Sequence, residues 1–463
     1  MQSKIMAAEN VGRSRCVFAV IPVFAGMMIA SVSVAQQTDP PLVPPRQGPA
    51  HTFSGYQTPA ECAAGAVTDE RMYWRDRFVD TVSVALPNRL LQPSTIASIK
   101  QCLSKFSMER LKPRELFGFA QAHLAARGYE EAGRAFALVA IAAAKEPPER
   151  RAWTLYNIVD VYLSAAPPRV QDAQAYLSKL DSLGVSASPE RARGYAELAK
   201  VARYWDSTTL QMKAATAAVK AAREIPLDRL REYSAMGRSN PGFAYYELAW
   251  ARARQNDPDG AVEMLELGTN TLGPLTKRGE AAGITTIELP RFLALGKPAP
   301  AVPADWRFIP SDHPEVEPKP GKPSIVVLAR SGYFEHYAVL QRLLAKFTPQ
   351  GVGATYSTET RGYVGNKIAL PDSEAVYIRD YYFQKRKIPM VISIGRTDFE
   401  VRSDGAYDRK ADTESPYEKI NQMNGRQPVF LIDKKGILRI VADLTVENEP
   451  MLSNMLTELL AEP

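Results

Sequence analysis

The sequence predicts a multidomain protein in which an all-α helical-repeat array is followed by an α/β three-layer domain. Its 463 residues suffice for two or three domains, and an apolar content of 45% is ordinary for a globular chain. Between residues 113 and 273, apolar side chains recur at helical spacing and prolines fall between the periodic segments. From residue 325 onwards, short apolar runs alternate with helical patterns, which is typical of a sheet covered on both faces.

Residues 1–35 have the pattern of an export signal. Lys4, Arg13 and Arg15 precede the apolar run Val17–Ala30, and Ser33-Val34-Ala35 then places small residues before a cleavage site. An uncleaved membrane anchor is the alternative, but proline, glycine and serine within the stretch favour cleavage. No later apolar stretch reaches the length of about 20 residues that a bilayer span needs. We therefore expect a periplasmic or secreted protein with no membrane span after cleavage.

The next segment, residues 36–60, is rich in proline, which predicts a disordered tether. Cys62 and Cys102 follow it, and Cys102 shares an apolar helical stripe with Ile99 and Leu103. Export permits a disulfide, and closing a loop of about 40 residues would stabilise the fold by roughly 3–4 kcal/mol. We predict a structural bridge. Two buried thiols or a redox-active pair are the alternatives, although the two cysteines do not form a CxxC motif.

Residues 61–273 predict the helical array. Gly128-Tyr129 forms a tight turn between a helix that begins at Pro113 and a helix that carries Ala132 and Phe136. This pattern resembles a tetratricopeptide repeat, and a generic helical array is the alternative. In either case each hairpin buries its apolar face on its neighbours, and the stack offers an extended binding surface. Further predicted pairs are Trp153–Leu163 with Val170–Leu183, Ala192–Tyr204 with Thr209–Arg223, and Phe243–Arg254 with Asp259–Leu272.

Residues 295–463 alternate strand and helix patterns, and residues 274–294 are interpreted as a connector. The apolar run Ile325–Ala329 predicts a strand that is buried on both faces. Gly436 supplies a positive φ at the turn of a C-terminal hairpin. The other expected elements are a helix over 333–347, a strand over 353–356, a helix over 375–387, a strand over 390–394, the hairpin strands 429–432 and 437–441, and a helix over 451–460.

The C-terminal hairpin carries a motif. Gln427-Pro428 leads into one apolar strand, and Asp433-Lys434-Lys435-Gly436 leads into the next. This resembles the proline–strand–Asp-x-x-Gly–strand hairpin of thioredoxin-like redoxins, and Gly296–Pro300 and Gly321–Pro323 resemble the opening segments of that family. The resemblance covers over a third of the chain and implies a thioredoxin-like fold for the last domain.

The redoxin family reacts through cysteine at a helix N-terminus, where the helix dipole lowers the pKa of the thiol. In this chain no cysteine follows Cys102, and Arg330 and Tyr333 lie near the two expected cysteine positions. Pro428 corresponds to the family's cis-proline, so the resemblance implies a vestigial groove that still pairs with an extended peptide. The alternative is that Pro428 only shapes the start of its strand. The candidate groove residues are Arg330, Ser331, Gly332, Tyr333, Phe334, Gln427 and Pro428.

The sequence therefore favours non-catalytic binding of a protein or peptide partner in the cell envelope, with no catalytic residue, cofactor or metal assigned. The four histidines show no metal-ligand spacing, and a formal charge of +6 over this length is weak support for nucleic acid as a partner. The rival function is a thiol-disulfide or peroxide-linked oxidoreductase of the redoxin type, acting through Cys62 and Cys102. In a third interpretation, the redoxin-like domain merely caps the array.

Overall fold

A computed structural model gives the architecture of the chain. It describes residues 57–64, 91, 93–165, 167–184, 189–205, 207–226, 229, 242–272, 288–328, 337–360, 362–364, 367–385, 387, 389–397, 399–401, 407–409, 415–421, 428–445 and 448–463. The predictions of an export signal and of most of the tether lie outside these residues. Backbone contacts place Pro45–Pro463 in one compact unit, so the array and the sheet region pack together.

The first part of the described chain consists of helices joined by short turns, which confirms its predicted helical character. Proline stands at the first position of many of these helices, because that position has no use for a backbone N–H and proline's fixed φ suits it. The helices are α1 (Pro93–Leu103), α2 (Pro113–Ala125), α3 (Tyr129–Ala143), α4 (Pro148–Ser164), α5 (Val170–Asp181), α6 (Pro189–Tyr204), α7 (Thr208–Arg223), α8 (Gly242–Arg254) and α9 (Pro258–Leu272).

Aromatic side chains connect the first helices of the array. Phe117 of α2 contacts Phe136 of α3 with ring centroids 5.5 Å apart, and Phe136 contacts Tyr162 of α4 at 5.1 Å. Tyr162 in turn lies 5.8 Å from Tyr176 of α5. Phe136 is fully buried. Each helix pair therefore buries its apolar face against the next pair, as expected for a stacked array.

The C-terminal part is built on a mixed six-stranded sheet. Its strands are β1 (Trp306–Phe308), β2 (Ser324–Leu328), β3 (Gly353–Glu359), β6 (Val391–Gly395), β9 (Pro428–Ile432) and β10 (Leu438–Asp443), and the strand numbers left out belong to two small hairpins outside this sheet. The strands lie in the order β1-β6-β3-β2-β9-β10. Strands β2, β3 and β6 are parallel, whereas β9 runs antiparallel to β2 and β10 antiparallel to β9. Strand β1 pairs antiparallel with β6 at the opposite edge.

Both faces of the sheet are covered. Every residue of β3, β6 and β9 is buried, although successive side chains in a strand point to opposite faces. The described helices of this part are α10 (Tyr337–Phe347), α11 (Pro371–Asp380), α12 (Pro416–Asn421) and α13 (Glu449–Ala461). Arg342 of α10 donates two hydrogen bonds to Glu449 of α13, at 2.7 and 2.6 Å, so these helices lie side by side.

The structure differs from the sequence-based expectations mainly in short elements. The helix predicted over 375–387 begins at Pro371, where proline suits the first position, and continues after Asp380 as a π-helix over Tyr381–Lys385. Strand β1 and two small hairpins were not predicted, because strands of two or three residues carry no periodic signal. The hairpins are formed by β4 (Tyr363–Val364) with β5 (Lys367–Ile368) and by β7 (Phe399–Val401) with β8 (Tyr407–Arg409).

Candidate functional site

The candidate site is a groove at one edge of the helical array, where three helix ends meet. Helices α2 and α4 begin there at Pro113 and Pro148, and α3 ends there at Ala143. The groove has a volume of about 640 Å³, within the range of about 300–1,000 Å³ that is usual for ligand sites. We call it the edge groove. Its lining residues are Pro113, Arg114, Phe117, Val139, Ala142, Ala143, Glu146, Arg150, Trp153, Thr154 and Asn157.

Aromatic and aliphatic side chains make up the apolar part of the edge groove. Phe117 and Trp153 are both half-buried, so each keeps part of its ring accessible. The ring of Phe117 is fixed by its edge-on contact with Phe136, and Trp153 lies 6.0 Å from Tyr156 of its own helix. Elsewhere on α3, Leu138 is 41% exposed and Ile141 is 65% exposed. A groove of this kind suits an apolar side chain of a partner.

Charged side chains stand at the mouth of the edge groove. Arg150 lies 3.6 Å from Glu146, with side chains 78% and 47% exposed, so this pair adds little stability. Arg114 is exposed and makes no ion pair with any residue in the described part of the chain. The framing segments 110–115 and 144–151 together contain six basic and three acidic residues. One of the acids, Glu115, is engaged in accepting a hydrogen bond from the Lys112 backbone N–H at 2.8 Å. The mouth therefore carries a positive excess.

A second polar cluster lies further along the same face of α4. Asp160 follows Trp153 by two helical turns and faces charged residues of α6. Burial raises the pKa of Asp160, and the nearby Glu197 carboxylate adds to the effect, whereas Arg193 and Lys200 oppose it. Lys200 is paired with Glu197 at 3.2 Å. Two acids and two bases balance each other here, in contrast to the mouth of the edge groove.

Cys62 and Cys102 form a disulfide between residues 57–64 and α1, which confirms the predicted bridge. The Cα atoms of Cys62 and Cys102 are 5.7 Å apart, and both residues are almost completely buried. The neighbouring segment packs closely on α2, since a Cβ added to Gly118 would lie 2.9 Å from the Cβ of Ala60. The bond therefore ties the start of the described chain to the first helices of the array.

The groove predicted from the redoxin resemblance falls only in part within the described residues. Val327 of β2 pairs with Val429 of β9, so Pro428 lies beside the carboxyl end of β2. Pro428 is buried. Two residues further along β9, the ring of Phe430 contacts that of Tyr417 with centroids 4.8 Å apart. The Tyr417 hydroxyl donates a hydrogen bond to the Pro300 carbonyl at 2.8 Å. The remaining candidate residues, Arg330, Ser331, Gly332, Tyr333, Phe334 and Gln427, lie outside the described residues.

A buried network of charged and amide side chains joins the array to the sheet region. We call it the seam. Arg203 of α6 donates to both carboxylate oxygens of Glu247 of α8, each at 3.0 Å, and to the Asn448 side-chain oxygen at 3.4 Å. Burial alone would lower the pKa of Arg203, but the Glu247 carboxylate together with Tyr204 and Tyr246 outweighs burial and raises that pKa. The seam residues are Arg203, Glu247, Glu288, Arg291, Asn421, Asp443 and Asn448.

The other half of the seam is centred on Arg291. Its guanidinium donates to Glu288 at 3.0 Å, to Asp443 at 3.1 Å, and to the side-chain oxygen of Asn421. Asn448 links the two halves, because its side-chain amide also donates to the Asp443 carbonyl at 2.8 Å. Nearly all of these groups are buried and hydrogen-bonded to other groups of the protein. We therefore interpret the seam as a structural network rather than a ligand-binding site.

No local pattern in the sequence predicts the edge groove or the seam. Both depend on side chains from separate helices that come together only after folding, and exposed arginines beside prolines look like ordinary turns. Among the described residues, no group of three or more histidine, cysteine, aspartate or glutamate side chains could hold a metal ion. None of the described helices has the length and hydropathy needed to cross a bilayer.

Comparisons with family models, with curated proteins and with solved structures found no match to this chain. The site is therefore interpreted from its own geometry and chemistry.

Proposed function

We propose that the chain is an exported, non-catalytic scaffold that binds a segment of an envelope protein or peptide in the edge groove. The observation that carries this proposal is the groove itself. Its apolar interior is lined by Phe117 and Trp153, and its mouth is lined by exposed charged groups. Apolar anchors surrounded by a polar rim are the usual anatomy of a surface that recognises another protein.

We propose further that residues 295–463 form a thioredoxin-like domain that has lost the redoxin cysteines. Two observations support this part of the proposal. Strand β2, which matches the first core strand of the family, lies next to the proline-led strand β9. The hairpin of β9 and β10 turns at Gly436 with a φ of +78°, in agreement with the Asp-x-x-Gly motif. Because it lacks the redoxin cysteines, such a domain would contribute a surface and its packing against the array rather than thiol chemistry.

Site-specific photo-crosslinking tests the binding proposal. A photoreactive residue replaces Thr154 in the edge groove or, as a matched control, Thr216, an exposed threonine on α7. We expect discrete crosslinked products from the exported fraction at position 154 only, and their loss when Trp153→Ala is added. Equal products at position 216, or products that do not respond to Trp153→Ala, would contradict the proposal.

A redox assay tests the rival function. Because Cys62 and Cys102 are buried in a disulfide and no other cysteine remains after the predicted cleavage, we expect no insulin reduction and no peroxide consumption above background. Activity that disappears in Cys62→Ser or Cys102→Ser would establish an oxidoreductase instead of a binding protein.

A further inference from the structure

The charge at the mouth of the edge groove points to the chemistry of its partner. We infer that the groove takes an acidic peptide segment that carries one aliphatic or aromatic anchor side chain. This inference rests on the proposed function and deepens it, because it names the class of segment that the groove selects.

The apolar interior of the edge groove indicates that the partner contributes an apolar anchor side chain. Phe117, Val139 and Ala142 supply apolar surface from two helices, and Trp153 supplies it from a third. Thr154 and Asn157 are the uncharged polar residues of the lining, and both stand on α4 beside Trp153. The Asn157 amide nitrogen donates to the Trp153 carbonyl at 2.7 Å, so its oxygen and the Thr154 hydroxyl face the partner. One apolar side chain can be enclosed there, while the adjoining backbone of the partner meets these two groups.

The charged side chains at the mouth of the edge groove indicate that the partner segment is acidic. Arg114 and Arg150 reach the groove from α2 and α4, and Glu146 is the one carboxylate among the lining residues. Since Glu146 is paired with Arg150, the exposed guanidinium of Arg114 remains available for an acid of the partner. An arginine fork binds carboxylates with two parallel hydrogen bonds, which gives a geometric preference as well as a charge preference.

The helix ends add to the same preference. Helices α2 and α4 both begin at the groove, and the N-terminal end of a helix carries a partial positive charge. The C-terminal end of α3 opposes this, but Lys145 and Arg151 lie in the loop that follows and in the start of α4. Glu115 and Glu149 in the first turns of α2 and α4 partly offset the two helix dipoles, so the excess of basic side chains is the main reason to favour an acidic segment over a basic one.

The balanced cluster around Asp160 sets the boundary of this preference. Asp160 and Glu197 lie near Arg193 and Lys200, so the formal charges of these four side chains cancel in that part of the surface. Selection by charge is thus confined to the mouth of the edge groove, and variants elsewhere on α4 and α6 should leave it unchanged.

Fluorescence anisotropy on the full chain tests the inference with four short labelled peptides. One is acidic with a central leucine, one is basic with the same leucine, one is neutral with the same leucine, and one is acidic with alanine in its place. We expect the first to bind at least about tenfold more tightly than each of the others, a difference of about 1.4 kcal/mol. Its affinity should fall as salt is raised, because exposed charges are screened.

Two variants locate the binding. Trp153→Ala should weaken the acidic leucine peptide by at least about tenfold, whereas the matched control Thr216→Ala should not change it. If the basic leucine peptide binds as tightly as the acidic one and both respond to Trp153→Ala, the inference is wrong while the proposed function stands. If no peptide binds and position 154 gives no crosslinks, the proposed function is wrong as well.

Other occupants would appear as distinct outcomes. If deleting residues 36–56 raises the affinity for peptides of every charge, a segment of the chain itself occupies the groove and the inference is overturned. If the protein sediments as a dimer that Arg114→Glu dissociates, the occupant is a second copy, which also overturns it.

Discussion

Arginine plays opposite parts in two regions of this molecule, the seam and the edge groove. In the seam, Arg203 and Glu247 have side chains that are 5% and 1% exposed, and they form two hydrogen bonds with each other. In the edge groove, Arg150 is 78% exposed and only loosely paired, and Arg114 has no ion-pair partner among the described residues. The guanidinium of buried Arg203 is fully engaged within the protein, whereas exposed arginines in excess are available to a ligand.

The two regions should therefore respond differently to the loss of a carboxylate. Removing one member of a buried pair leaves an uncompensated charge and costs about 3–5 kcal/mol, while an exposed pair contributes about 0–1 kcal/mol.

Glu247→Gln is expected to lower the free energy of unfolding by about 3–5 kcal/mol, because it leaves the Arg203 charge buried without its partner. Chemical denaturation measures this effect. The matched change Glu146→Gln in the edge groove should cost less than about 1 kcal/mol. Similar losses for the two variants would remove the distinction between the regions.

A double variant sharpens the same comparison. Replacing the buried pair by apolar residues of similar size, as in Arg203→Met with Glu247→Leu, should recover most of the stability that Glu247→Gln loses. If the double variant loses nearly the sum of the unfolding free energies that the two single changes lose, the attraction between Arg203 and Glu247 exceeds the cost of removing both charges from water.

Removing the disulfide is expected to have a comparable or slightly smaller effect. Cys62→Ser with Cys102→Ser should lower the free energy of unfolding by about 3–4 kcal/mol, since the unfolded chain regains the entropy of a loop of about 40 residues. The control Ser104→Ala, in the turn that follows α1, should change stability by no more than about 0.5 kcal/mol. Unchanged stability in the cysteine variant would show that the bond constrains nothing in the native chain.

The smallest expected effect concerns pH. Burial raises the pKa of Asp160, so the native state binds its proton more tightly than the unfolded state does. This contribution to stability is full below the unfolded pKa of about 3.9 and is lost as pH rises through the native pKa. Asp160→Asn should therefore increase stability at pH 7 and give a smaller increase as pH falls towards about 4.

Urea titrations at the two pH values check this prediction, with Glu266→Gln on the exposed face of α9 as the control. A gain from Asp160→Asn that is equal at both pH values would mean that the carboxylate charge is not its cause.

The sequence predicted the larger elements well because their patterns are long and periodic. The apolar run before Ala329 became the buried strand β2, and the helices of the array lie close to the predicted segments. Cys102 was placed on a buried stripe together with Ile99 and Leu103, and all three are buried next to the disulfide. These features follow from local spacing, which a single sequence displays.

The functional surfaces could not be predicted in this way. Arg203 bonds to Asn448 across 245 positions of the chain. Arg114 and Trp153 line the same groove only because α2 and α4 begin at the same edge of the array. Such contacts depend on how the helices stack, which is set by many small packing contributions rather than by any local motif. The motif that resembles redoxins pointed to Pro428, whereas the edge groove lies in the array.

A charge swap at the edge groove tests whether this surface selects the partner. In the full chain carrying Arg114→Glu and Arg150→Glu, peptide binding is measured by anisotropy against the acidic and the basic leucine peptides, after confirming that the free energy of unfolding is unchanged within about 1 kcal/mol. We predict that the preference inverts, with the acidic peptide weakened at least about tenfold and the basic peptide strengthened. If both peptides weaken together, or if neither responds, the edge groove is not the surface that selects the partner.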